Sequence, residues 1–341
     1  MLKDLCELGV DGRYVYKDSI IIEVVKDCYF NITGFCSNDL PSTLRLPSVI
    51  GGLKADKILT SAFFSCNSLN EVIVEEGYRE IDYESFAYSS IKKISLPSTL
   101  IKIDIYAFRG CMSLKSIQVS KDNRFFDSRC GCNAIIYTPL NHLIIGCKNS
   151  DIVPGIKSIE YTVFVHGFAG RTERIIIPGT VEEIDGCGSL RNTQRCLAVL
   201  KLLIIENPAK IKGLNHLICN IVSPGIVIAM PKKYTGIKSK FDKNNCTFRY
   251  YHDLPNIPSY SSDGFIIPKV NDYGVNSYSD EIRIYDKYYD IETEELREVL
   301  GIDAFAFSGC KGLNKIIIPK KIKDNINSLA FEDYDGEIEY V

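Results

Sequence analysis

Histidine is scarce in this chain, four residues among 341, and none stands in an HExxH run or beside a GxSxG elbow. GxxxxGK[ST] loops and GxGxxG turns are absent too, so the phosphate-cradling backbones of nucleotide enzymes are missing. No apolar run reaches 18 residues, which excludes a helical membrane span. Acids and bases nearly cancel, with 43 Asp+Glu against 40 Lys+Arg and a formal charge of −3. They are interspersed, and the basic stripe that nucleic acid requires does not occur. RNP, zinc-finger and helix-turn-helix patterns are likewise missing. The opening stretch from Met1 to Asp18 has neither a charged n-region nor an apolar h-region. Such a start points to the cytoplasm for the chain as it stands, and to the cell surface or secretion if an upstream export signal was removed.

Cysteine is plentiful by contrast, with thirteen residues. Their odd number, and the return of Cys66, Cys111 and Cys310 at one repeated slot, point to free thiols in a reducing compartment rather than a disulfide framework. Cys130, Cys132 and Cys147, with His142, form the one cluster with metal-ligand residue types. Zinc favours CxxC pairs over CxC, so neither a metal nor a cofactor is expected. The cysteines sit mostly in apolar slots where thiolate formation is disfavoured, which argues against nucleophilic catalysis.

What fills the chain is repetition. Ile58, Ala62, Phe63, Cys66, Leu69, Val72 and Val74 occupy the same slots as Ile103, Ala107, Phe108, Cys111, Leu114, Ile117 and Val119, and as Ile302, Ala306, Phe307, Cys310, Leu313, Ile316 and Ile318. A copy one residue short runs through Ile81, Phe86, Ile91, Ile94 and Leu96, with Ser89 in the cysteine slot; another begins at Ile326 with Ala330 and Phe331. Successive phenylalanines stand about 22 to 24 residues apart, a leucine-rich repeat period. A unit this short cannot bury its own apolar side and must stack on its neighbours. Within it, LxxIxI alternates like a half-buried strand, whereas AFxxCxSL has the threefold spacing of a short helical or 3₁₀ turn. Pro97, Pro178 and Pro319 follow strands, where a missing donor does no harm.

This pattern resembles the BspA-type leucine-rich repeat family, found in bacterial surface proteins of the Bacteroides and Treponema kind. Further likenesses are Asn123, Asp127, Ser128 and Arg129, the run Cys132 to Ile136, and Leu143 to Lys148, which look like the hairpin insertion between repeat blocks. The resemblance implies a solenoid with strands on its inner curve. The resulting expectation is a leucine-rich repeat solenoid of one strand and one short helical turn per repeat, with a β-rich N-terminal cap over 1–45. The array spans 46–251 with a hairpin insertion near 120–150, then a Tyr-rich insertion or linker over 252–298, and C-terminal repeats with an acidic tail over 299–341. Tyrosine suits both edge strands and binding hot spots, so that insertion is read both ways.

Function follows as a non-catalytic module binding a macromolecular, protein partner on the strand face. The alternatives are a cell-surface adhesin for host or neighbouring-cell proteins, and an enzyme using a cleft at the insertion. By period-two alternation, Ile73, Ser95, Gln118, Ile176, Leu203 and Ile317 form an outward column, beside Glu71, Lys93, Ser116, Arg174, Lys201 and Lys315. The first is read as an apolar stripe and the second as a mostly basic one that would steer an acidic rim. The core ladder is Ala62, Phe63, Cys66, Leu69, Phe86, Ala107, Phe108, Cys111, Leu114, Ala306, Phe307, Cys310 and Leu313.

Overall fold

Four-residue strands with every second side chain buried are the building block of this protein, seen here in a computed structural model. The structure describes residues 6–8, 12–17, 19–36, 40–167, 174–185, 200, 202–214, 217, 227–231, 233–234, 247–250, 259–261, 264–267, 281–290, 293–308, 310 and 313–341. The chain divides into two units, residues 1–150 with 160–169, and residues 151–159 with 170–341.

In the first unit, Thr43–Leu46, Glu71–Val74, Lys93–Leu96 and Ser116–Val119 pair as parallel strands with no slip in register. Val72, Val74, Ile94, Leu96 and Ile117 are buried on one side of this ladder. A second parallel ladder, Leu53–Ile58, Glu80–Ile81 and Lys102–Ile103, forms another wall. Cys6–Leu8, Tyr14–Tyr16, Ile20–Val25 and Tyr29–Phe35 make an antiparallel meander whose last strand joins Leu53–Ile58 in parallel. Phe126–Asp127, Ile135–Tyr137 and His142–Ile145 pair antiparallel.

Between the ladders, the segment around each Ala-Phe pair is a string of tight turns closed by bonds between residues three apart, as the threefold spacing predicts. Its donors alternate in direction. Ala62 and Phe64 N–H bond back to Leu59 and Ser61 carbonyls, at 3.2 and 3.1 Å, while Phe63 and Ser65 N–H bond across to Ser85 and Ala87 of the next repeat, at 2.6 and 2.8 Å. The next turn repeats this, with Phe86 and Tyr88 donating to Ala107 and Arg109 at 2.9 and 2.7 Å. Left-handed backbone at Ser61, Ser65, Glu84 and Tyr88 swings those donors outward. A continuous 3₁₀ helix would keep every donor within its own segment.

Stacking then aligns the rings. Phe35, Phe63, Phe86 and Phe108 lie nearly parallel, with centroids 6.1, 5.1 and 5.4 Å apart. Burying each of the last three contributes about 1.5 to 3 kcal/mol, before any ring–ring gain, while Phe35 at the end is half-buried. Ala62, Cys66, Leu69, Ala107, Cys111 and Leu114 are all buried with them. Ser89 takes the cysteine slot and meets Cys111 Sγ at 3.4 Å.

The second unit repeats the scheme. Arg174–Ile177, Leu202–Ile205, Val227–Met230 and Thr247–Tyr250 are one parallel ladder; Glu281–Arg283, Lys315–Ile318 and Glu337–Tyr340 are another. Ala306, Phe307, Cys310 and Leu313 are buried in its core, where Phe307 stacks on Phe331 at 5.6 Å. Glu295–Ile302 is longer than the other strands: from Val299 onward it pairs in parallel with Gly264–Ile267. Its first half turns back as a hairpin with Lys287–Asp290.

Candidate functional site

Cross-strand register in the first unit sets Thr43, Glu71, Lys93 and Ser116 in one outward column and Arg45, Ile73, Ser95 and Gln118 in the next. Arg45 and Gln118 are exposed, Ile73 and Ser95 half-buried. The basic column is not free charge. Lys93 Nζ lies 3.0 Å from Glu71 Oε1 on the neighbouring strand, and Lys315 Nζ lies 3.2 Å from Glu337 and 2.7 Å from Glu339. Lys93 and Lys315 are thus engaged in ion pairs across adjacent strands. Arg174 is half-buried opposite Leu202, and Lys201 lies outside the described residues.

Two members of the apolar column are corrected outright. Leu203 pairs with Ile175 and Ile228, so it faces the core, and Ile204 is the residue opposite Ile176. A one-residue slip exchanges the two faces of a strand. Ile317 is 2 % exposed, set between Arg283 and Glu339 of the flanking strands, whose longer side chains stand beside it. Ile176 is half-buried and packs against a cluster of Leu202, Ile204, Ala229 and Tyr289. Thus the outward face of the second unit's ladder is already covered by a side chain from the Tyr-rich region.

A different surface emerges on the turns of the first unit. Phe64, Tyr83 and Tyr88 are 40, 43 and 45 % exposed, although their neighbours in sequence Phe63 and Phe86 are buried completely. Phe64 meets Tyr88 edge-on at 5.5 Å, and Tyr83 meets Tyr106 at 5.8 Å. The Arg109 guanidinium lies 5.9 Å from the Tyr88 ring centre and 3.1 Å from Glu84 Oε1. Beside Tyr106 stands His166, 6.2 Å away and half-buried. Burial and the Arg109 charge push its pKa down to about 4. The left-handed Tyr88 and Gly110 turns let this shelf stack closely, for a β-carbon at Gly110 would stand 2.5 Å from the Tyr88 ring. Aromatic residues just off the Ala-Phe pair in successive repeats were the signal for it.

The hairpin cysteines are held by local bonds. Cys147 Sγ lies 3.2 Å from the Asn133 carbonyl and Cys132 Sγ 3.9 Å from that of Ala134; Cys130 is exposed. Among the described residues no group of three His, Cys, Asp or Glu side chains gathers as a metal would need, and none of the nine described cysteines is in a disulfide. No helix among them is long and apolar enough to cross a membrane.

Six copies of the BspA-type leucine-rich repeat region match residues 42–156 and 285–340, about half of the chain. The chain belongs to this family. Its members are repeat modules of the protein-interaction or surface kind, and they are generally not enzymes. Among solved structures, a leucine-rich repeat protein of T. pallidum is 20 % identical with a TM-score of 0.33, the match covering 67 % of this chain and 94 % of that one. One from Bacteroides ovatus is 17 % identical with a TM-score of 0.35, covering 95 % and 76 %. No curated protein matches. The six family copies leave out 157–284, the stretch that holds the second unit's first ladder.

Proposed function

We propose that the protein is a non-catalytic interaction module that docks a protein partner on the aromatic shelf of its first unit. The observation that carries this is the trio Phe64, Tyr83 and Tyr88, kept in solvent by a fold that buries their neighbours. Exposed apolar groups held contiguous, with Tyr and Arg among them, have the composition of a binding hot spot. Pairing of the rings, Phe64 with Tyr88 and Tyr83 with Tyr106, lowers the ordering cost of binding. The outward strand face, with Ile73, Ser95 and Gln118, is the second reading, favoured by its freedom from any covering segment among the described residues.

Capture from a native lysate followed by mass spectrometry separates the two. A Phe64→Ser, Tyr88→Ser double variant that melts like the parent is expected to lose the retained protein, while Ile73→Thr, Gln118→Ala keeps it. The reverse pattern moves the site to the strands. Retention by both folded variants refutes both surfaces.

A further inference from the structure

The ladder of Arg174–Ile177, Leu202–Ile205 and Val227–Met230 is unlike that of the first unit, because the chain itself lies on its outward face. Leu202, Ile204 and Ala229 are buried there beneath Tyr289, with Ile176 and Val227 at the margin. Residues that alternate outward in a strand reach such burial only when something covers them.

On its groove side the cover is held by three contacts, while Tyr288 beside it packs against the Ile284, Val299 and Phe307 cluster and meets Tyr285 edge-on at 6.1 Å. Asn207 Nδ2 donates to the Tyr289 hydroxyl oxygen at 2.9 Å, in surroundings that exclude water from both. Gly179 opens the slot for the ring: a β-carbon there would stand 2.0 Å from Tyr289 Cε1. At the hairpin turn, Glu294 receives Lys210 at 3.0 Å and Lys233 at 3.2 Å. Those two ammonium groups hold its carboxyl below the usual range, Lys210 first.

Backbone pairing, however, is missing from this cover. Lys287–Asp290 pairs antiparallel only with Glu295–Glu298 among the described residues, and the arm touches the ladder through side chains. Lifting it breaks no described ladder hydrogen bond. The fit is also incomplete. Asn207 is 1 % exposed, and its Oδ1 has no hydrogen-bond partner among the described residues. An unmet buried acceptor costs free energy, so the arm sits there less firmly than a fully paired one would.

We propose that this face is a recognition groove for a partner protein's segment carrying a tyrosine followed some five residues later by a carboxylate, and that the hairpin arm, described over 287–290 and 293–298, occupies it in cis as an exchangeable plug. The apolar floor and Gly179 slot take the ring, Asn207 takes the hydroxyl, and Lys210 with Lys233 takes the carboxylate. Mutual exclusion then links the two states: the partner binds only as often as the arm is away, so its apparent affinity is reduced by that fraction. The inference concerns the second unit and stands or falls apart from the shelf of the first.

The test uses the full chain and a synthetic peptide spanning residues 286–298. Tyr289→Ala empties the slot and leaves the floor, Asn207 and the lysines in place. That variant is expected to bind the peptide at least tenfold more tightly than the parent, and to lose it when Gly179→Ala is added to close the slot. A folded Tyr289→Ala chain that binds no better than the parent overturns the proposal. If that variant does not fold, hydrogen exchange on the parent decides: amides of 287–290 and 293–298 are expected to exchange well before those of Leu202–Ile205, and equal protection overturns it. A parent dimer that Tyr289→Ala converts to monomer assigns the groove to a second copy and overturns the foreign-partner reading.

Discussion

Phe86 lies face to face with Phe63, their ring centres 5.1 Å apart and their planes within 6°. The same ring stacks on Phe108 from its other side at 5.4 Å. Phe86→Ala therefore opens a hole with aromatic walls on two sides that cannot collapse without moving two repeats. A loss of about 3 to 5 kcal/mol is expected. Set against a typical margin of about 5 to 15 kcal/mol, it should depress the denaturation midpoint severely. An unchanged midpoint would show that the ladder is not cooperative.

Gly110 combines a left-handed φ of +69° with a Tyr88 ring where its β-carbon would be. Gly110→Ala is expected to cost about 1 to 3 kcal/mol from backbone strain, with steric displacement added. Adding Tyr88→Ala removes the steric part alone. A double-mutant cycle on chemical denaturation should then give a coupling of about 0.5 kcal/mol or more, and strict additivity would contradict the contact.

Acid should act on the first unit in two steps. His166 titrates near 4 when folded and near 6.5 when unfolded, so between those values the unfolded chain binds more protons. Stability consequently falls as pH drops through that window. Glu76 acts lower. Burial raises its pKa, but bonds donated by Ser98 and Thr99 outweigh that and leave it below the ordinary value of 4.5. Its contribution is present above that value and is lost as pH falls through the folded pKa. Melting temperature against pH is expected to flatten between 6.5 and 4 in His166→Asn, with an acid limb retained below it that Glu76→Gln reduces in part, since Glu80 and Asp127 are also held below their ordinary values. A parent-like slope in His166→Asn would clear this histidine.

Register gives the sharpest comparison. Leu203→Asp puts a charge into the core and is expected to unfold the second unit's ladder, whereas Gln118→Asp on an exposed slot should shift stability by less than about 0.5 kcal/mol. Circular dichroism of the two variants reads this directly. A folded Leu203→Asp protein would return Leu203 to the outer face.

Repeats were legible because Ala62-Phe63, Ala107-Phe108 and Ala306-Phe307 return with unchanged chemistry, and stacking makes each copy a constraint on the next. The strand at Leu202 was not, since Leu200 to Ile205 is apolar at every position but one and carries no period from which to choose a face. Nothing local to Ile176 announced Tyr289, more than a hundred residues away, as its cover. Likewise the AFxxCxSL spacing announces turn bonds three residues apart, but not that every second donor reaches the next repeat.

That alternation of donors has a mechanical consequence. Bonds such as Phe63 N–H to the Ser85 carbonyl run along the stacking direction, while Ala62 N–H to the Leu59 carbonyl closes a loop within one repeat. Tension applied across the first unit loads the former directly and leaves the latter slack. Repeats should then peel away singly from a loaded end. Each detachment releases about 22 residues, or roughly 75 Å of contour length, so a single-molecule force trace would show a regular sawtooth instead of one rupture.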